Sequence, residues 1–139
     1  MSEAEAATTD TVAGKLGFKN GDLLQELGYD EDVDFDFRAT LEDETGSELL
    51  TEEDQDVVDG VLLWWRNDDG DLVDALVDSL TCLDEGGTVW VLTPKSGRTG
   101  YVAPSIIQEA APTAGLHATS SAGVSKDWAA TRLVSRRKS

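Results

Sequence analysis

The chain has one cysteine, Cys82, and one histidine, His117. A single thiol excludes an intrachain disulfide, and nothing in it points to secretion. One Cys with one His also leaves too few ligands for a zinc site. Long apolar runs are missing as well: none approaches the roughly 20 residues that a helix needs to cross a bilayer. The first 13 residues are acidic and rich in Ala and Thr, the reverse of a signal peptide's basic start and apolar middle. These absences predict a soluble, cytoplasmic protein.

Positive charge is scarce where negative charge is dense. Residues 1–85 hold 26 of the 28 acids and only four bases (Lys15, Lys19, Arg38 and Arg66), a balance of −22; residues 86–139 hold seven bases and two acids, a balance of +5. Such a field repels nucleic acid and anionic membrane and attracts basic protein surfaces and cations. Much of any acidic surface is only solvated, so charge alone does not make a site. The densest cluster, Asp30, Glu31, Asp32, Asp34 and Asp36, fails as a calcium loop, which needs Gly at its sixth position and Glu at its twelfth. Counted from Asp30 those positions are Phe35 and Leu41; counted from Asp68 the twelfth is Ser79. No dedicated metal site is expected.

A chain of 139 residues, 40% of them apolar, suits one domain with a core of its own. Residues 1–13 read as a disordered tail, 14–135 as a single α/β domain, and 136–139 as a short basic tail. Asp22–Leu27 is a short candidate strand stopped at Gly28. Asp30–Thr45 reads as a helix with Val33, Phe37 and Leu41 at i+4 spacing and Gly46 at its end. Glu48–Leu50 follows as a short strand. Val57–Trp65 is almost wholly apolar, as a strand buried on both faces is, which implies a parallel sheet covered by helices. Asp71 is placed to cap a helix with Leu72, Val73, Leu76, Val77, Leu80 and Leu83 on one stripe, ended by Gly86-Gly87. Thr88–Thr93 is a second buried strand, stopped by Pro94. Ser105–Ala114 is a helix closed by Gly115, with Pro112 near its end. His117–Ser125 and Ala130–Arg136 form an antiparallel hairpin around Lys126–Ala129. The sum is a Rossmann-like α/β fold: a mostly parallel sheet flanked by helices, with a C-terminal antiparallel hairpin. The order of the later elements resembles the second half of class I methyltransferases, and layout alone implies no activity.

Residues that would carry such an activity are not evident. A nucleotide-type cofactor needs a glycine-rich turn after the first strand, where backbone N–H groups approach it closely. Here Leu27-Gly28-Tyr29-Asp30-Glu31-Asp32 offers one glycine followed by bulk and negative charge. After Trp65 the chain reads Arg66-Asn67-Asp68-Asp69-Gly70, without the Asn/Asp-Pro-Pro-aromatic loop of methyltransferases that modify amines or bases. No cofactor is expected, and catalytic residues are not identifiable. Cys82 falls opposite the apolar stripe of its helix with no base nearby, so it reads as an exposed or half-exposed thiol. His117 opens a strand and reads as a surface or satisfied residue. Trp64 and Trp65 are adjacent on a strand and must face opposite ways, and Trp90 reads as core. Trp128 has two readings. It lines a small basic and aromatic ligand recess with Lys95, Arg98 and Arg132 near strand carboxyl ends, or it seals the core.

Three stretches carry a family likeness: Gly87-Thr88-Val89-Trp90-Val91-Leu92-Thr93-Pro94-Lys95, Ala114-Gly115-Leu116, and Trp128-Ala129-Ala130-Thr131-Arg132-Leu133-Val134. With Lys15-Leu16-Gly17-Phe18-Lys19-Asn20-Gly21 they make residues 14–135 similar to the small bacterial proteins grouped as domain of unknown function 3052. The acidic middle and Trp64-Trp65 resemble its actinobacterial branch. The resemblance implies a Rossmann-like fold reminiscent of methyltransferases without their cofactor motif, and no established activity. It marks Trp90, Lys95, Trp128 and Arg132 as signature positions.

The expected function is therefore a noncatalytic interaction or regulatory role. An acidic face that includes Asp30, Asp32, Asp34, Asp68 and Asp69 would bind a basic protein partner, with neither nucleic acid nor membrane bound directly. The alternative is a small-molecule binder or enzyme derived from an S-adenosylmethionine-dependent methyltransferase-like fold, with Lys95, Trp128 and Arg132 at its ligand.

Overall fold

The computed structural model describes residues 12–122 and 126–135. Its elements run α1 (Val12–Lys15), β1 (Leu24–Leu27), α2 (Phe35–Thr45), β2 (Val58–Trp64), α3 (Leu72–Ser79), β3 (Leu83–Pro94), α4 (Pro104–Thr113), β4 (Leu116–Ala122) and β5 (Trp128–Ser135). The five strands form one sheet in the order β1-β2-β3-β5-β4. The first three are parallel, and β5 runs antiparallel to both β3 and β4. The fold is the expected Rossmann-like one, with the hairpin inserted so that its second strand, not its first, joins β3. Among the described residues no helix is long and apolar enough to cross a membrane.

Each face of the sheet carries a core because β2 and β3 are apolar on both sides. Val61, Leu63, Trp65, Val89 and Val91 pack under α3 and α4. Leu62, Trp64, Trp90 and Leu92 pack under α1 and α2, with Phe37 and Leu41 from the helix above them. Trp64 and Trp65 thus face opposite ways, as the pleat requires. Burying a side chain of this size stabilises by about 1.5–3 kcal/mol, which explains why the β2 and β3 runs are nearly continuous.

Several boundaries move, each for a local reason. Val12 and Ala13, read as tail, open α1: Ala13 is buried, and its N–H donates to the Glu44 carboxylate at 2.7 Å. Helix α2 begins at Phe35 and not Asp30, because Asp34 is extended and accepts from the Phe37 N–H at 3.0 Å as an N-cap. Its end is as read, with Gly46 left-handed at φ 80°. The strand expected at Glu48–Leu50 reduces to one parallel bridge between Leu50 and Gln25. Asp71 does cap α3, accepting from Val73 N–H at 2.9 Å, but the helix stops at Leu80, ahead of Gly86-Gly87. Leu83 opens β3, five residues before the strand start read at Thr88. Gly87 serves close strand approach, since a Cβ there would stand 2.9 Å from the Asp59 carbonyl oxygen. Cys82 consequently lies between α3 and β3, half-buried, with its thiol 3.7 Å from the Asp54 carbonyl. Trp128, read as a turn residue, is the first residue of β5, paired opposite Pro94. The basic tail at 136–139, residues 123–125 of the hairpin and most of the N-terminal tail lie outside the described residues.

Candidate acidic groove and its arginine latch

β1 has β2 on one side and only Leu50 on the other, bonded through Leu50 N–H to Leu24 O and Glu26 N–H to Leu50 O. The chain therefore builds outward from β1 through α2 to Leu50, then returns to build β2 and β3 on the opposite side. In open α/β sheets, ligands bind where strand order reverses, at the strand carboxyl ends. That point here is between the ends of β1 and β2.

Arg66 occupies it. Its guanidinium bonds to the Asp32 carboxylate, to Gly28 O at 2.9 Å, to Trp64 O at 3.3 Å and to Asp69 at 3.2 Å. The Asp69 carboxylate also accepts the Arg66 backbone N–H at 2.9 Å. One cation thus ties the β1–α2 turn to the β2–α3 turn. Burial opposes its charge, but the Asp32 and Asp69 carboxylates outweigh that and hold Arg66 above its ordinary pKa. The bond from Arg66 likewise holds the Asp32 carboxyl below the usual carboxylate value. The lone glycine of the turn, Gly28, is left-handed at φ 76°, and a Cβ there would stand 2.3 Å from Trp64 O. It is glycine so that the turn can press against β2.

Trp128 completes the latch from the other side. It is 3% exposed, meets Trp64 edge-on with centroids 4.9 Å apart, and donates its indole N–H to Asp32 O at 3.2 Å. Arg66 stands 5.3 Å from its ring centroid. Beneath, Glu26 is buried on β1 and accepts two bonds from Arg38, at 2.6 and 2.9 Å, and one from the Trp64 indole at 2.8 Å. The paired carboxylate holds Arg38 above its ordinary pKa.

The recess expected from Lys95, Trp128 and Arg132 is not formed. Trp128 takes the core-sealing place, and the cation on its ring is Arg66. Arg132 lies four residues further along β5, about 13 Å at strand rise, where it donates to the Thr119 hydroxyl at 3.1 Å. Arg98 pairs with Asp127 at 3.3 Å. Lys95 lines a separate cavity beside α4. His117 is an exposed strand residue. Of the acids expected to bind a partner, Asp32, Asp34 and Asp69 are engaged in the latch or the cap, and Asp30, Asp32, Asp68 and Asp69 are exposed.

What remains beside the latch is an open groove of about 520 Å³. It runs from the ends of β1 and β2 between α3 and the segment after Leu50. Asp30, Glu52, Asp54, Asp69 and Asp78 line it, and Arg66 is the only base among the described residues that does. Tyr29, 50% exposed, stands at its mouth in edge contact with Phe35, 49% exposed, with the Arg38 guanidinium 4.8 Å from the Tyr29 ring. Sequence reasoning missed Arg66, Tyr29, Glu52, Asp54 and Asp78. Arg66 had a signal: it is the only base between Arg38 and Lys95, across a stretch so acidic that a base in it must be paired.

Comparison with known proteins bears on the family and the fold. A family model described as "Protein of unknown function (DUF3052)" matches residues 13–137. Uncharacterised proteins of Mycobacterium tuberculosis and Mycobacterium bovis are 54% identical over 122 residues, covering 88% of this chain and 77% of theirs. Among solved structures, similar folds occur in a chain of the Haloferax volcanii complex that holds the Trm112 methyltransferase activator (TM-score 0.60, 15% identity, 98% of this chain and 93% of that one). They occur also in the methyltransferase CcbJ of Streptomyces caelestis (0.56, 10%, 92% and 95%) and in magnesium protoporphyrin IX methyltransferase of Synechocystis with bound S-adenosylmethionine (0.54, 10%, 96% and 78%). At such identities the likeness carries the fold alone.

Proposed function

The chain belongs to the DUF3052 family of proteins of unknown function, and from that premise we propose that it is a noncatalytic, cytoplasmic interaction protein whose acidic groove takes a basic segment of a partner protein. The observation that carries this reading is the imbalance in the groove: five lining carboxylates against one arginine that is already bonded to Asp32 and Asp69. A lysine or arginine side chain entering there finds carboxylates on several sides, and the exposed Tyr29–Phe35 pair offers a ring face at the mouth for its stem or charge. Anions meet the opposite field.

A labelled oligolysine peptide tests it by fluorescence anisotropy. Affinity should fall roughly tenfold or more between low salt and about 0.5 M NaCl, where exposed charges are screened. Asp30→Asn combined with Asp78→Asn, and separately Tyr29→Ala, should weaken binding at low salt. Asp43→Asn, exposed near the C-terminal end of α2, should not. Equal binding by all of these variants would mean a diffuse field with no groove, and the proposal would fall.

A second reading rests on the fold shared with methyltransferases and on a groove at the reversal of strand order: binding of S-adenosylmethionine, itself a net cation. Against it stand the single glycine of the β1–α2 turn and the latch that fills the crevice. Thermal shift decides, because a ligand at a hundred times its dissociation constant adds about 2.7 kcal/mol. Clear stabilisation by S-adenosylmethionine would put this reading first.

A further inference from the structure

We propose that the cavity beneath α4 is a binding site for a small organic anion, separate from the acidic groove and sharing no lining residue with it. The cavity measures about 410 Å³, within the range of small-molecule sites. It lies at the carboxyl end of β3, walled by α4 on one side and by β4 and β5 on the other.

Its charge is the opposite of its surroundings. In a chain with 28 acids, no carboxylate among the described residues lines this cavity, and Lys95 is the one charged side chain among them that does. Lys19, Arg38, Arg66 and Arg98 each pair with an acid, whereas Lys95, like Lys15, Lys126 and Arg132, makes no ion pair among the described residues.

The floor carries hydroxyl groups that open into the cavity. Thr93 is 3% exposed and lines the cavity, yet its hydroxyl makes no hydrogen bond among the described residues. Strand alternation puts it on the α4 side, opposite Leu92, whose side chain packs with Trp90 on the other face. Among the described residues no fully buried side-chain polar atom lacks a partner, so the unbonded Thr93 hydroxyl is open to the cavity. Thr131, on the same face of β5, also lines the cavity with its hydroxyl unbonded among the described residues.

Two further features suit an anion with an apolar body. Helix α4 starts at Pro104, which lines the cavity, with no side-chain cap from Ala103, so the positive end of the helix dipole lies beside it. Val102 and Ile107 supply an apolar wall opposite the hydroxyls. The anionic group, a carboxylate or a phosphate, would sit between Lys95 and the Thr93 and Thr131 hydroxyls, with the apolar part against Ile107.

Phenyl phosphate is a suitable probe, followed by amide chemical shifts in two-dimensional NMR, with benzylamine as the matched cation. Saturable shifts are expected at residues 93–96, 101–108, 118–121 and 129–131, and benzylamine should leave these residues unmoved. Lys95→Met should weaken phenyl phosphate about tenfold, the size of one charge-assisted bond. Thr93→Val should weaken it severalfold while the melting temperature holds or rises, because a methyl replaces an unbonded hydroxyl. A purely structural threonine predicts the same melting behaviour with binding unchanged. No saturable shift up to roughly 10 mM, a range that reaches millimolar affinities, would overturn the proposal, as would equal binding by Lys95→Met or by benzylamine. Inorganic phosphate run in parallel separates the two contributions: the apolar wall is part of the site if phosphate binds more weakly than its phenyl ester, and is excluded from it if both bind alike.

Discussion

At the scale of the residue, Trp128 does three things at once. It fills core between β5 and α2, it meets Trp64 edge-on, and it donates to the Asp32 carbonyl. These contributions separate by substitution. Trp128→Ala removes packing and bond together and should cost about 3–5 kcal/mol, as large-to-small changes of buried aromatics do. Trp128→Phe retains much of the packing and loses the N–H, leaving Asp32 O unpaired, at about 1–3 kcal/mol. Chemical denaturation measures both, and hydrogen exchange at Asp32–Phe37 should speed in the Phe variant before global stability falls far. A Phe variant as unstable as the Ala variant would show that the indole N–H, and not the ring, holds the site. The signature position Trp128 is thereby explained by packing and by anchoring a turn. Lys95, a second signature position, has no such structural task among the described residues.

At the scale of the element, the segment from Gly28 to Asp34 decides how the β1–β2 crevice is closed. It has no regular structure and is held by bonds from outside: Arg66 to Gly28 O and to the Asp32 carboxylate, Trp128 to Asp32 O. Because Arg66 holds the Asp32 carboxyl below its usual 3.8, the folded chain takes up that proton at lower pH than the unfolded chain does. The pair's contribution is therefore complete above about pH 5 and drains as pH falls through 3.8 and on through the lower folded value. Asp32 is half exposed, so the contribution belongs with partly solvated pairs, at most about 1 kcal/mol. Melting of the wild type and of Asp32→Asn between pH 6 and pH 2.5 should show a gap that is constant at the upper end and narrows at the lower end. A gap that stays constant to the acid limit would assign the loss in Asp32→Asn to something other than the charge. This segment also marks where the sequence stopped being legible. The apolar runs of β2 and β3 fix the sheet and both cores by themselves, and Gly46, Asp71 and Gly115 mark element ends through local geometry. The start of α2 depends on which of five nearby acids caps it, and the end of α3 on where β3 must meet β2. Both are tertiary choices. The recess around Trp128 failed for the same reason: the partner of its ring, Arg66, lies 62 positions away in the chain, and the strand pairing that brings them together leaves no trace in the spacing of either.

At the scale of the whole molecule, the acids do more than repel. Ten described carboxylates accept backbone N–H groups: those of Asp22, Asp30, Asp34, Glu42, Glu44, Glu52, Asp54, Asp59, Asp69 and Asp71. Such bonds close turns and helix starts in a chain poor in Ser and Thr caps, which is a structural use for charge that composition alone presents as surface. They do not neutralise it. A carboxylate bonded to an amide keeps its full negative charge, and ion pairs among the described residues engage Asp22, Glu26, Asp32, Asp69 and Asp127. The net charge of −17 therefore acts on the folded state as self-repulsion, strongest in the acidic half around the groove. Added NaCl shortens the reach of that repulsion from about 10 Å at 0.1 M to about 3 Å at 1 M. It leaves short amide–carboxylate bonds largely intact. The melting temperature should accordingly rise steadily from low salt to about 0.5 M NaCl, and the rise should shrink in Asp30→Asn/Asp78→Asn, which removes two of the five groove carboxylates. If scanning calorimetry gives the same salt slope for that variant as for the wild type, the repulsion is spread over the surface and the groove holds no special share of it. If the slope falls, the groove is a strained concentration of like charge, and a basic segment entering it would relieve the strain as it binds.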